Sequence, residues 1–424
     1  MGTQYSASGP RAGATDGAGR GALDGLCIAD FSRVLAGPYA TMLLADLGAD
    51  VVKVERPGIG DDTRTWHPPA DQDGTSTYFL SVNRNKRSVV LDLTTEAGRA
   101  QARALVAASD VLVENFRPGT MERLGLGHRE LRARRPELIY CSISGFGSGA
   151  GAAIPGYDLL VQAVGGLMSV TGETHGEPVK AGVALVDVIT GLHASLGILA
   201  ALRHRDATGE GQLVEVNLLG SLLSAMVNQA SAFAVAGVVP GRMGNAHPSI
   251  APYETFPTAD RPIALAVGND RQFAALADVI GVPGLALDDR FRTNAVRVAH
   301  RAELRDVLTP RLRAAGADHW SAVLLAAGVP AGPVNTLDEA FAFARKLGLP
   351  SVVDIPAAPA DEAAGRPSRQ VAHPIALSTT PARYRLPPPQ LGQHTTEILH
   401  GPSGPSYGSR RPHLERTHDQ NNPS

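Results

Sequence analysis

Residues 26–56 read LCIADFSRVLAGPYATMLLADLGADVVKVER, and this stretch decides the fold. Leu26–Phe31 is a short apolar run with the length and composition of a strand. Pro38 opens a helical pattern through Tyr39–Leu47, and Gly48 suits its C-terminal cap. Val51–Val54 is a second strand. Strand, helix and strand in so few residues form a βαβ unit, which requires parallel strands.

The pattern continues outward. Val89–Leu93, Val111–Val113 and Leu138–Ile143 read as further strands, with Thr95–Ala108 as a helix between the first two. Such alternation predicts an α/β fold with a Rossmann-like parallel-sheet large domain. Val183–Arg205 reads as a long helix closed by Gly209-Glu210-Gly211, and Gln212–Asn217 as a strand or helix start. Leu218–Gly241 carries no formal charge. It is long enough to span a bilayer. Its polar Ser221, Ser224, Asn228, Gln229 and Ser231 favour a helix buried on all sides within the protein.

From Gly241 the texture changes to short strand signals (Ile263–Val267) and amphipathic helices (Arg271–Ile280, Arg301–Ala314). The expected organisation is a leader over 1–21 and the first part of the large domain over 22–229. A smaller α+β domain follows over 230–330, then a return to the large domain over 331–401 and a tail over 402–424. The leader is rich in Ala, Gly, Ser and Thr and lacks the apolar centre of a secretory signal.

Composition sets outer limits. The 424 residues include 39 Lys plus Arg against 41 Asp plus Glu, a net charge of -2. That balance argues against nucleic acid or an anionic membrane as partner. The two cysteines, Cys27 and Cys141, sit in apolar runs. They exclude a disulfide framework and suit a reducing cytoplasm. No metal-ligand spacing, P-loop or G-x-S-x-G elbow is present.

Several segments could carry chemistry. Lys53–Gly58 lies at the carboxyl end of the second strand, where doubly wound sheets bind ligands, and Arg56 there could grip a phosphate. Asn83–Ser88 (NRNKRS) is a basic loop whose donors suit a diphosphate. The run Gly145–Ala150 (GFGSGA) matches a dinucleotide fingerprint, but Pro155-Gly156 interrupts the helix that fingerprint needs, which favours a flexible active-site loop or a turn loop. Thr171–Pro178 (TGETHGEP) places His175 between Glu173 and Glu177 on a Gly-punctuated loop, a setting for acid–base or nucleophilic chemistry. Asp187 lies in an apolar stretch, VALVDVITGL, where a carboxylate needs a partner or a job.

Six segments in register resemble the class III (CaiB/BaiF, formyl-CoA transferase-like) CoA-transferase family. They are IADFSRVLAGPYATMLLADLGADVVKVERPGIGDDTR from Ile28, VNRNKRSVVLDL from Val82 and DVLVENFRPGTMERLGLG from Asp110. PGYDLLVQAVGGLMSVTGE from Pro155, GPVNTLDEA from Gly332 and PPPQLGQHTTEIL from Pro387 complete the set. The likeness runs from about Leu23 to Leu399. It implies an enzyme of CoA thioesters, with acyl-CoA and a small acceptor as substrates and two protomers interlocked as linked rings. By position it implies CoA contacts at Ser32, Arg33, Val34, Arg56, Asn85, Lys86, Arg87 and Arg117.

The resemblance also implies a catalytic aspartate three residues after the Thr-Gly of the loop, and here that place is His175. In the racemase branch it implies a histidine where this chain has Tyr157, with Asp187 in the second catalytic place. A transferase of this class needs a carboxylate that attacks the thioester, and an imidazole cannot hold CoA as a thioester. Several readings stay open. Glu173 or Glu177 supplies the carboxylate, His175 is a general base or acyl carrier, or His175 and Asp187 form a proton-transfer pair as in racemases. A catalytically silent acyl-CoA-binding protein is a further one. The working expectation is transfer of CoA or an acyl group from an acyl-CoA, with His175 in the usual aspartate's place.

Overall fold

The computed structural model describes residues 21–72, 74–356 and 368–401. All but Gly21 of the expected leader, and the whole of the expected tail, lie outside them. Six strands form one sheet: β1 (Cys27–Asp30), β2 (Asp50–Glu55), β3 (Lys86–Val90), β4 (Val111–Glu114), β5 (Ile139–Ser144) and β6 (Leu213–Asn217). Their order is β3-β2-β1-β4-β5-β6. Every pairing is parallel, with Ile28 opposite both Val51 and Val111. The fold is therefore mixed α/β with a Rossmann-type sheet. The chain starts in the middle, builds one half outward through β3, then returns past β1 to build the other. That reversal leaves a crevice beyond the carboxyl ends of β1 and β4.

Both faces of the sheet are covered, which is why its strands are nearly continuous apolar runs. On one face the helices Ala36–Asp46 and Leu185–Thr208 pack with Ile28, Val51, Val113 and Ile139. On the other, helix Glu96–Ala107 buries Ala102, Leu105 and Val106 against Val52, Val89 and Leu112. The long helix presents Val186, Thr190, Ala194, Ile198 and Ala201 inward at helical spacing. Gly191 sits where it crosses helix Ala36–Asp46, and a Cβ there would lie 2.6 Å from the Ala36 carbonyl oxygen.

A second core gathers residues between Ala251 and Ala331 around Phe256, Phe273, Phe291 and Leu308. It includes a small antiparallel sheet, in the order β7 (Tyr253–Phe256), β8 (Ile263–Ala266), β9 (Ala331–Pro333). Strand β9 pairs with β8, so the chain is still in this unit at 331–333, where a return to the large domain was expected. A two-stranded ribbon, β10 (Val352–Ile355) with β11 (Ser368–Val371), follows. The chain then reaches the β3 edge, where the Asn85 N–H donates to Leu386 O (2.8 Å) and Ile398 joins the large core.

The uncharged stretch after Asn217 departs from expectation. It forms two helices, Leu218–Ala225 and Val227–Ala236, bent by 85° at Met226. The second buries no residue fully, and Val235 is 84% exposed. Within one protomer this pair is not the helix buried on all sides that its composition suggested. By length and composition this bent pair and helix Leu185–Thr208 could each cross a membrane. The inward stripe of the latter nevertheless belongs to the large core.

Candidate active site

The crevice predicted by strand order is present as a cleft. It is walled by the loop after β1 (Arg33, Val34, Leu35), the loop after β4 (Asn115, Phe116, Arg117) and the loop after β5 (Ser144, Gly145). Asp62, Tyr157 and Asp187 also line it. Parallel strands direct their carboxyl ends to one edge, so these loops converge without being near in sequence.

Asp187 enters from the first turn of helix Leu185–Thr208. The helix dipole favours a carboxylate there. Burial opposes it, and with the charge of Asp158 raises the Asp187 carboxyl to about 7. Asp158 is held close because its Oδ1 accepts the N–H groups of Val186 (2.8 Å) and Asp187 (3.2 Å), capping that helix from outside it. Its other oxygen accepts from Gln162 Nε2 at 2.5 Å. Burial and the charges of Asp187 and Asp158 push the Tyr78 phenol up to about 12, so it stays a protonated donor. The result is a desolvated carboxylic acid that ionises near neutrality.

The opposite wall is cationic. The Arg33 guanidinium lies 5.0 Å over the Phe116 ring and pairs with Asp62 at 3.4 Å. Asn115 holds the Arg33 backbone from both sides, accepting its N–H at 2.8 Å and donating to its carbonyl at 2.7 Å. Arg117 is exposed on the lining, and its guanidinium has no ion-pair partner among the described residues. Arg56 leaves the end of β2, donates to Gly60 O at 3.1 Å and pairs with the other oxygen of Asp62.

The expected contact residues therefore separate. Arg33, Val34 and Arg117 line the cleft, and Arg56 adjoins it through Asp62. Ser32 lies fully buried beneath, its hydroxyl and N–H both donating to Asp30. Asn85, Lys86 and Arg87 are a correction. They stand at the start of β3 and so at the amino edge of the sheet, opposite the cleft. Asn85 donates to Asp46 (2.7 Å), Lys86 to Asp30 (3.1 Å) and Arg87 to Asp50 (2.6 Å). A loop that precedes a parallel strand emerges at the wrong edge for the ligand.

Of the proposed catalytic side chains, Asp187 and Tyr157 line the cleft; Tyr157 is 64% exposed. His175 and Glu173 do not. Both are exposed on the loop Thr171–Pro178, which is tied to the segment beyond the bent helix pair. Arg242 donates to the Glu173 and Gly176 carbonyls, and the Gly244 N–H donates to Gly172 O. The family resemblance put His175 at the reactive centre; the carboxylates that line the cleft are Asp187 and the Arg-paired Asp62. The run Gly145–Ala150 starts no helix, the next beginning at Asp158, so it lacks the helix a dinucleotide fingerprint needs; of the run, Gly145 lines the cleft. Among the described residues no cluster of three or more His, Cys, Asp or Glu could hold a metal ion.

The family model for CoA-transferase family III matches residues 23–395. The chain belongs to this family. It is 44% identical over 384 residues to a succinate–glutarate CoA-transferase of Agrobacterium fabrum, covering 89% of this chain and 94% of that one. It is 41% identical to a succinyl-CoA:glutarate CoA-transferase of Homo sapiens, covering 89% and 85%. Among solved structures, a CAIB/BAIF family protein from Brucella suis is 42% identical with a TM-score of 0.78, covering 89% and 98%. Membership in a CoA-transferase family makes an acyl-CoA and a carboxylate acceptor the substrates to place in the cleft.

Proposed function

We propose that the protein transfers CoA from an acyl-CoA to a free dicarboxylic acid, with Asp187 as the attacking carboxylate. The observation that carries this reading is the position of Asp187. Its carboxyl lines the cleft at the ligand-binding edge of the sheet, whereas His175 is exposed outside it.

The steps follow from the chemistry of a carboxylate. An Asp187 oxygen attacks the thioester carbonyl, the C–S bond breaks, and CoA thiolate leaves a mixed anhydride. The thiolate then attacks the aspartyl carbonyl, releasing the donor acid as its carboxylate and leaving Asp187 as a CoA thioester. The acceptor carboxylate attacks that thioester and expels the thiolate again. The thiolate attacks the acceptor's acyl carbon, giving the new acyl-CoA and restoring the Asp187 carboxylate.

Arg33 and Arg56 support binding of the CoA phosphates, since guanidinium pairs well with phosphate. A dicarboxylic acceptor is supported by similarity to the succinate–glutarate transferase and by Arg117, an uncommitted cation on the lining. A homodimer is part of the same reading, supported by apolar residues that one protomer leaves bare. Leu192, Leu196 and Leu199 on the long helix, and Phe233, Val235 and Val239, are all more than a third exposed.

The test is mass spectrometry of the protein after incubation with succinyl-CoA. The expected result is a CoA-bearing adduct on the peptide holding Asp187, absent from Asp187→Asn and unchanged in His175→Ala. An adduct on His175 or Glu173 would overturn the assignment.

A further inference from the structure

The loop between β1 and helix Ala36–Asp46 is strained. Val34 has φ 70°, a left-handed conformation that a β-branched side chain disfavours. Val34 and Arg33 both line the cleft. Such a backbone persists only where its surroundings over-determine it.

Part of what holds it is out of the cleft and out of water. Lys53 on β2 and Asp61 on the following loop form an ion pair of 2.7 Å, with both side chains wholly inaccessible. Each of the two also bonds to one turn. Lys53 Nζ donates to Ser32 O at 3.0 Å, and Asp61 Oδ1 accepts the Val34 N–H at 3.3 Å. Asp61 is itself fixed by Thr63, which donates from its backbone N–H (3.0 Å) and its hydroxyl (2.8 Å). One buried pair thus grips the carbonyl before Arg33 and the N–H after it.

A buried ion pair is a weak device for stability, because apolar residues of similar volume often serve as well. Its value here is directional. We propose that Lys53 and Asp61 are positioning residues that hold the Arg33–Val34 turn in the left-handed form that binds acyl-CoA. This rests on the reading of the cleft as the acyl-CoA site. Neither residue lines the cleft; both act through the turn.

The experiment compares full-length variants by calorimetry with free CoA and by steady-state kinetics with succinyl-CoA. Asp61→Asn keeps the shape but weakens both grips. It is expected to raise the CoA Kd and the acyl-CoA KM by about tenfold, with kcat within roughly twofold of the parent. The double variant Lys53→Met/Asp61→Leu leaves no orphaned charge and is expected to fold while keeping the raised Kd. Adding Val34→Gly to Asp61→Asn is the decisive arm. Glycine takes positive φ without strain, so most of the lost affinity should return. Unchanged Kd in a folded Lys53→Met/Asp61→Leu protein would overturn the proposal. So would failure of Val34→Gly to restore affinity. If the unsubstituted protein binds no CoA, the fault lies in the reading of the cleft instead.

Discussion

At the scale of single residues, the environment of Asp187 makes its chemistry pH-dependent in a stated direction. Burial first, then Asp158, raises its carboxyl to about 7. With Asp187 as the proposed nucleophile, the attacking form is the ionised one, so kcat/KM should rise with pH through about 7 and then level. Asp158→Asn keeps an oxygen to cap helix Leu185–Thr208 but removes the neighbouring charge. The rise should then move to lower pH, by roughly a unit. A profile unmoved by that change would show that burial alone sets the shift. Stability runs the other way. A carboxyl whose folded value lies above its unfolded value binds its proton longer in the native state. Its contribution is therefore full below the usual value near 3.8 and is lost as pH rises toward about 7. Asp187→Asn should abolish transfer and flatten part of that decline, read as urea midpoints at pH 5 and pH 8. Glu114, also raised to about 7 by burial, supplies a similar slope that the substitution leaves in place.

At the scale of elements, the site depends on two helices meeting closely. Helix Ala36–Asp46 comes directly after the Arg33–Val34 turn, and helix Leu185–Thr208 begins two residues before Asp187. Gly191 lets them approach, since a Cβ there would meet the Ala36 carbonyl at 2.6 Å. Gly191→Ala should destabilise the fold by about 1–3 kcal/mol and raise the acyl-CoA KM, because the helices can separate only by moving both walls. A urea midpoint and KM equal to the parent's would refute this. Much of this layer was legible in sequence. Apolar runs and the Pro38…Gly48 bracket located the first βαβ unit to within two residues. The third strand was not: Val89–Leu93 was expected, and the strand is Lys86–Val90. Charged residues at its start read as a loop, yet Lys86 is wholly buried against Asp30. Local polarity cannot announce a partner 56 residues away. The same error sent Asn85, Lys86 and Arg87 to the ligand. By contrast Arg33, Val34 and Arg117, named from the family resemblance, stand on the cleft lining, because topology puts the loops leaving β1 and β4 at the switch point. Asp187 stood out as a carboxylate in an apolar run. That it lines the cleft and His175 does not was not legible, since only the three-dimensional path of Thr171–Pro178 shows that loop lying outside the cleft.

At the scale of the whole molecule, a single chain leaves large apolar side chains bare. Leu192, Leu196 and Leu199 lie on one side of helix Leu185–Thr208, three or four residues apart, and are 46%, 66% and 37% exposed. Phe233, Val235 and Val239 add a second apolar region at 61%, 84% and 79%. Soluble monomers rarely leave contiguous apolar surface of this kind in water. A second copy of the chain is the occupant expected from the family resemblance, and these residues would then enter a protein interior. The composition of the stretch after Asn217 fits this: it reads as buried, and one protomer does not bury it. Light scattering at micromolar concentration should give twice the chain mass, with no monomer appearing on dilution if the two chains interlock. Leu196→Asp together with Phe233→Asp should disrupt assembly, since burying two unpaired carboxylates costs several kcal/mol. The two sites lie outside the cleft lining, so loss of dimer in this variant separates assembly from chemistry. A parent protein that runs as a monomer, or a doubly substituted one that stays dimeric, would show that these faces have another use.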